Sequence, residues 1–310
     1  MSSNDFSQAL PVGAVLRGGK YDYTVESVLG KGGFGFTYLV STYVKIENID
    51  VKLFFAVKEH FVSTLSSRRP GSGDVESSQP VRVQVEGSLK DFRSEAKRLK
   101  TLSGKSPYIV KVNESFDANN TAYYVMEYID GQGLNEVIKA SGSVSEGQAL
   151  AWIKAINEAV RTIHEARMTH LDIKPANILF AGSSTGGQRP VLIDFGLAKH
   201  YDSSGNATST LNTVGCSEGY APIEQYGGLK TFSPTADIYA LGATLFTMLT
   251  GTKPPTASDA DRATLDSEME KHGVSEGVRH AVLKAMEYKA AQRFQSVADF
   301  EKALAGAGDD

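Results

Sequence analysis

The sequence predicts an α+β chain built as two lobes, the first an antiparallel sheet with one main helix and the second mainly helical. Three observations carry this. Residues about 20 to 60 alternate β-branched and aromatic residues with polar ones, which is the period of strands. After Gly131 the apolar residues recur instead at helical spacing in several long runs. The length, 310 residues, exceeds a typical single domain and suits two packed lobes. The expected division is 1–128 and 129–310, with a cleft where the lobes meet.

Taken in order, Tyr21 to Leu29, Phe34 to Val44 and Leu53 to Val57 read as strands. Ser63 to Pro80 changes character, with Ser66-Ser-Arg-Arg-Pro-Gly-Ser-Gly-Asp74 inside it, and reads as a polar, mobile loop. The alternation of Val81, Val83 and Val85 predicts a short strand, and Leu89 to Leu102 a helix with Phe92, Ala96 and Leu99 on one face. Two strands follow, Ile109 to Phe116 and Ala122 to Tyr128, turned by Asn119-Asn120. In the second lobe Ala149 to Ala166, Ala236 to Leu249, Val278 to Tyr288 and Val297 to Ala305 predict helices, while the runs starting at Ile178 and Val191 predict short buried strands.

Composition narrows the function classes. Lys plus Arg number 32 against 36 Asp plus Glu, a net charge of −4, which argues against a nucleic-acid binder that relies on bulk positive charge. Cys216 is the only cysteine, so no internal disulfide forms, which fits a reducing compartment or a fold that needs no covalent staples. The longest apolar stretch, Ile238 to Leu249, falls well short of the ~20 residues a membrane span needs. The start carries neither a basic nor an apolar leader region. The expected location is therefore the cytoplasm, or the cytoplasmic part of a longer protein, with no membrane segment in this chain.

Several motifs carry polar chemistry. Gly30-Lys31-Gly32-Gly33-Phe34-Gly35 spells G-x-G-x-x-G, which marks phosphate-binding turns and also occurs in ordinary glycine-rich ones. Because a β-rich run continues after it, a strand-turn-strand flap over phosphates is favoured over a helix-opening dinucleotide turn. Lys58, ending an apolar strand, is either a snorkelling surface lysine or a cation aimed at phosphates. Glu95, on a charged helix, is either merely solvated or the carboxylate that holds Lys58. His170-Leu-Asp172-Ile-Lys174-Pro-Ala-Asn177 sets three polar groups in one loop between a long helix and a short strand. There the Asp can accept a hydroxyl proton, the Lys can offset phosphoryl charge and the Asn carbonyl can hold a divalent cation; the plain alternative is a capped turn. Asp194-Phe-Gly196 follows an apolar strand and offers a carboxylate for Mg²⁺ or a turn cap.

In this order, the glycine flap, strand Lys, helix Glu, Asp/Lys/Asn loop and Asp-Phe-Gly resemble the eukaryotic-like (Hanks-type) Ser/Thr protein kinases, from about Tyr21 to Leu304. The resemblance implies a protein-kinase-like fold with a catalytic loop at 170–177 and an activation segment at 194–224. It implies that the flap covers ATP, that Lys58 contacts the α- and β-phosphates and pairs with Glu95, and that Asp172 is the catalytic base. Lys174 would lie near the γ-phosphate, and Asn177 and Asp194 would hold Mg²⁺, with Mn²⁺ as a substitute. Met126 looks like the gatekeeper. Glu127 and Ile129 would offer backbone groups to adenine, with Val40, Ala56 and Leu179 as apolar walls. Asp237 resembles the strut of the catalytic loop, and Arg293 resembles the partner of Glu224. Lys174 looks like the Ser/Thr subclass, and Gly219 to Tyr226 looks closest to bacterial members.

The sequence departs from the family pattern in three places. Leu171 replaces the arginine that usually gathers a phosphorylated activation loop, which predicts less dependence on loop phosphorylation. Ile223 interrupts the Ala-Pro-Glu signature. Counting back from Glu224 then puts Ser217 where a threonine usually touches the catalytic Asp and Lys, with Cys216 as the neighbouring candidate. Residues about 63–85 lengthen the connection from Lys58 to Glu95 and read as a tolerated surface insertion, the other reading being a segment that covers or regulates the helix carrying Glu95. The implied partners are proteins carrying Ser or Thr, including a second copy phosphorylated in trans at Thr208, Ser209, Thr210 or Thr213. The competing classes are a pseudokinase-type nucleotide-binding scaffold and a small-molecule phosphotransferase.

Overall fold

The computed structural model describes residues 6–32, 35–183, 186–202, 204–206, 216–227 and 233–307. Its chain divides into two compact units, one of 1–104 with 110–128 and one of 105–109 with 129–310.

The first unit is a six-stranded antiparallel sheet in the order β1-β2-β3-β4-β8-β7. Its strands are β1 (Val15–Arg17), β2 (Asp22–Gly32), β3 (Gly35–Ile46), β4 (Ile49–His60), β7 (Val112–Ala118) and β8 (Thr121–Glu127). Two hairpins turn through the left-handed region: Glu47-Asn48 joins β3 to β4, and Asn119-Asn120, residues that tolerate it, join β7 to β8, all four with positive φ. One sheet face carries a core of Leu16, Tyr23, Val25, Tyr38, Val40, Val57, Tyr123 and Val125. Against the other face lies α1 (Arg82–Leu102), which buries Ser88, Phe92, Ala96, Leu99 and Leu102.

The connection from β4 to α1 departs from the sequence expectation twice. Val81, Val83 and Val85 form no strand: a 3₁₀ turn over Gln79–Val81 leads into α1 at Arg82. Val81, Val85 and Leu89 are four residues apart, so helical spacing half-buries all three and leaves Val83 81% exposed. Nor is 63–80 a mobile surface loop. It folds as a hairpin, β5 (Ser66–Arg68) and β6 (Val75–Ser77), whose Val75 joins the sheet core.

The second unit is built on α5 (Pro234–Thr250), apolar all round and buried from Thr235 to Thr250. Around it pack α3 (Glu146–Glu165), α6 (Arg262–Lys271), α7 (Glu276–Ala285) and α8 (Val297–Gly306). Gly242 permits the close approach of α5 to α7, since a Cβ there would meet the Ala285 methyl at 2.8 Å. The short α2 (Leu134–Ser141) and α6 bury only two side chains each, too few for a periodic signal in the sequence. The strand pairs β10 (Ile178–Ser183) with β11 (Gly186–Leu192), and β9 (Met168–Thr169) with β12 (Lys199–His200), frame the loops that follow α3 and β11. A single helical turn, α4 (Ile223–Tyr226), precedes α5. Among the described residues no helix is long and apolar enough to cross a membrane.

Candidate active site

In the first unit the sheet register decides which side chains share a face. Cross-strand partners point the same way. Lys58 of β4 is paired with Thr37 of β3 and Tyr124 of β8, and Ala56 with Leu39 and Met126. These six therefore lie on the face that carries α1. Lys58 is 7% exposed, with its Nζ 5.9 Å from the centroid of the Tyr124 ring. The Tyr124 hydroxyl donates to Glu95 Oε1 of α1 at 3.2 Å, so Lys58 and Glu95 meet the same tyrosine from two elements. Val40 does not belong to this face. It is opposite Phe55 and is buried with Tyr38 and Val57 in the core beyond, so it is not on the face of Ala56 and Lys58 as expected; Leu39 and Thr37 are.

Gly30, Lys31 and Gly32 end β2, and Gly32 is paired with Gly35 at the start of β3. A Cβ on Gly35 would come within 1.7 Å of the Glu59 carbonyl oxygen, so only glycine fits against β4 there. Lys31 sits over the Phe36 ring at 5.7 Å. Gly33 and Phe34 lie outside the described residues. Met126 is buried, and Glu127 exchanges two bonds with Lys111: its N–H donates to the Lys111 carbonyl and its Oε1 accepts the Lys111 N–H, both at 2.9 Å. Ile129 and the half-buried Leu179 belong to the second unit.

His60 fastens α1 to the end of β4. Its Nε2 lies 2.8 Å from Ser88 Oγ, and its ring packs edge-on against Phe92. Burial, with the Arg93 charge adding to it, pushes its pKa down to about 4. The unfolded chain thus takes up a proton near pH 6.5 that the folded chain refuses until about pH 4. This stability is fully present above pH 6.5 and declines as pH falls towards 4, by about 3 kcal/mol in all. Denaturation midpoints measured across this range are expected to fall less steeply for His60→Gln than for the native chain.

In the second unit the Asp/Lys/Asn loop closes on itself. Asp172 Oδ1 accepts Lys174 Nζ at 2.9 Å and Ser217 Oγ at 2.6 Å. Its Oδ2 accepts Lys174 Nζ and Asn177 Nδ2, each at 2.9 Å. Lys174 Nζ also donates to Ser217 Oγ at 2.8 Å, so of the two candidates it is Ser217 that reaches the pair, while Cys216 is exposed. Asn177 Nδ2 donates further to the Asp172 carbonyl at 2.8 Å, which leaves its own Oδ1 as the end available to a cation.

Asp194 is brought alongside by the backbone. The Ile193 N–H donates to the Asn177 carbonyl at 2.9 Å, and the Ile193 carbonyl lies 3.2 Å from His170 Nε2. Asp194 itself has φ of 57°, is exposed, and accepts the Gly196 N–H at 3.2 Å. His170 is fully buried, and burial lowers its pKa, so its ring is neutral. Its Nδ1 accepts the Asp172 N–H at 3.3 Å, which assigns the proton to Nε2 and the Ile193 carbonyl.

Two buried ionic anchors hold this loop. Asp237 of α5 accepts the N–H groups of His170 and Leu171, both at 2.8 Å, and lies 2.8 Å from His164 Nε2. Burial alone would raise its carboxyl pKa, but these partners outweigh it and hold the group below the usual range. Arg293 grips both oxygens of Glu224 at 2.6 and 3.0 Å and donates to the carbonyls of Thr235, Glu287 and Tyr288. Glu224 and Gln225 share one turn, and Gln225 Nε2 donates to the Leu171 carbonyl at 2.9 Å.

Among the described residues no cluster of three or more His, Cys, Asp or Glu forms a metal cage. Asn177 Oδ1 and Asp194 fit a different kind of site, in which Mg²⁺ takes one or two protein oxygens and completes its shell with water and phosphate. Thr208, Ser209, Thr210 and Thr213 lie outside the described residues.

The protein kinase domain profile matches residues 23–300. The chain belongs to the protein kinase family. Among curated relatives, serine/threonine-protein kinase B of Synechocystis is 29% identical over 91% of this chain and 46% of its own length. PknB of Mycobacterium tuberculosis is 29% identical over 69% of this chain and 35% of its own length. The chain thus spans about half or less of the relatives it matches. Of solved structures, apo PpkA-294 aligns with a TM-score of 0.69 and 26% identity over 96% of this chain and 99% of its own. The kinase domain of M. tuberculosis PknI aligns with 0.62 and 20%, over 97% and 100%, a likeness of fold alone. The two-lobed α+β protein-kinase fold anticipated from the motifs is the observed one.

Proposed function

We propose that this domain is an ATP-dependent protein serine/threonine kinase of broad, non-specific type that also phosphorylates itself. The observation that carries the reading is the closed group of Asp172, Lys174, Asn177 and Ser217, in which a carboxylate is aimed by three donors. In the proposed reaction Asp172 accepts the proton of a Ser or Thr hydroxyl as its oxygen bonds to the γ-phosphorus. The bond from that phosphorus to the β,γ-bridging oxygen breaks, and ADP leaves. Lys174 offsets charge on the phosphoryl group in transit. Lys58, held by Glu95, binds the α- and β-phosphates, and Gly30 to Gly35 cover them. Asn177 and Asp194 would hold Mg²⁺, or Mn²⁺ in its place, which screens the phosphate charge.

The relatives named as serine/threonine kinases support the hydroxyl class, as does Lys174 two positions after Asp172. Leu171 packs with Ala236, Leu197 and Tyr201 where many kinases hold an arginine for a phosphorylated loop. This supports activity without loop phosphorylation. ATP as the donor and a lone cysteine support a cytoplasmic location, as a whole protein or as part of a longer one.

The test incubates the native chain and Asp194→Ala with ATP and Mg²⁺, alone and with a generic basic protein, and reads intact mass. Stepwise gains of phosphate in the native sample only are expected. No gain in either sample, with ATP still bound, would move the domain to a nucleotide-binding scaffold.

A further inference from the structure

Arg68 ties the first strand of the hairpin β5–β6 to the sheet. Arg68 donates from Nη2 to Glu59 Oε2 at 2.6 Å, from Nη1 to the Gly73 carbonyl at 2.8 Å and from Nε to the Gln8 carbonyl at 2.7 Å. Its backbone N–H donates to Gln8 Oε1 at 2.7 Å, and its guanidinium lies over the Phe61 ring. Glu59 is fully buried, and its remaining acceptor positions take the hydroxyls of Tyr38 and Tyr123, each at 2.6 Å. Burial, and after it the Glu59 charge, pushes both phenols up, so both stay protonated donors.

Glu59 is the residue after Lys58. Successive side chains of a strand point to opposite faces, so while Lys58 faces α1, Glu59 is clamped from behind. The other end of the hairpin is tied as well: the Val75 N–H donates to the Asn119 carbonyl at 2.8 Å, and the chain then enters α1, which carries Glu95, after a single 3₁₀ turn. The Arg68 clamp therefore restrains β4 at Lys58 and the N-terminus of the helix bearing Glu95 together.

We propose that Arg68 is a positioning residue for phosphate binding, acting through Glu59 to hold Lys58 in register with α1. This rests on the kinase reading. It gives the segment 63–85 a task in the reaction rather than that of a tolerated insertion.

The test separates positioning from stability with two variants of the full chain. Arg68→Met leaves a buried carboxylate without its cation, and both melting temperature and kcat/KM for ATP are expected to fall. The double variant Glu59→Gln/Arg68→Met removes that uncompensated charge, which restores stability, but not the clamp. It is expected to melt near the native temperature while kcat/KM for ATP stays roughly tenfold to a hundredfold down, with weaker ATP binding by calorimetry. Recovery of native ATP affinity and kcat/KM in the double variant overturns the inference, because the pair then serves stability alone. Failure of the double variant to fold overturns it too. Arg69→Ala, at the exposed neighbour paired with Glu76, is the control and is expected to match the native chain; an equal loss there also counts against Arg68. Absence of phosphate transfer by the native chain would instead count against the kinase reading, and calorimetric ATP binding reads the clamp independently of turnover.

Discussion

Asp172→Asn is expected to lower kcat for phosphoryl transfer by about 10²- to 10⁴-fold and to leave KM for ATP little changed. The carboxylate meets Lys174, Asn177 and Ser217 through four hydrogen bonds, all donated to it. Its proposed role towards a substrate hydroxyl is to accept a proton, which a neutral amide does not do at neutral pH. An interaction made only in the transition state lowers kcat and kcat/KM together when it is removed. The amide also turns an N–H₂ towards donors that need an acceptor, so some loosening of the loop accompanies the chemical loss. Single-turnover rates at saturating ATP, with a melting curve for each protein, read the two effects separately. A rate within tenfold of native from a folded variant would remove Asp172 as the base.

How much of this was legible in the sequence depends on the range of the contacts. Asp172, Lys174 and Asn177 are near neighbours in one loop, so their spacing carried most of their geometry. Asn119-Asn120 was readable for the same reason, being a local turn with two left-handed residues. Val40 was misplaced because a strand's face depends on register. The β3–β4 register, running from the Ile46–Ile49 pair at the turn, puts Leu39 opposite Ala56, and a shift of one residue exchanges the faces. The valines at 81, 83 and 85 fit both a period of two and a spacing of four, and the packing of Ser88 and Phe92 on the sheet decided for the helix. The hairpin at 66–77 was hidden in a composition that also describes loops. What orders it is Arg68 reaching Gln8 and Glu59, contacts that no local pattern encodes.

Asp237→Ala is expected to cost about 3–5 kcal/mol of stability and to abolish most transfer even where the protein remains folded. The carboxylate is wholly buried, and its removal orphans the N–H groups of His170 and Leu171 together with His164 Nε2. Leu171 is held at φ of 64°, a left-handed conformation unfavourable for a leucine, and the bond from its N–H to Asp237 is one of the contacts that keep it there. Without that bond the backbone relaxes towards negative φ. Asp172 follows directly, so its carboxylate leaves the Lys174, Asn177 and Ser217 donors. Asp237→Asn keeps one acceptor oxygen and sets an N–H₂ against the other donor, so it should fall between native and alanine in both stability and rate. Denaturation midpoints for the three proteins should follow that order. Amide hydrogen exchange at His170 and Leu171 should quicken in the alanine variant. An alanine variant with native protection at those two amides and a native rate would show that the catalytic loop keeps its shape without the strut.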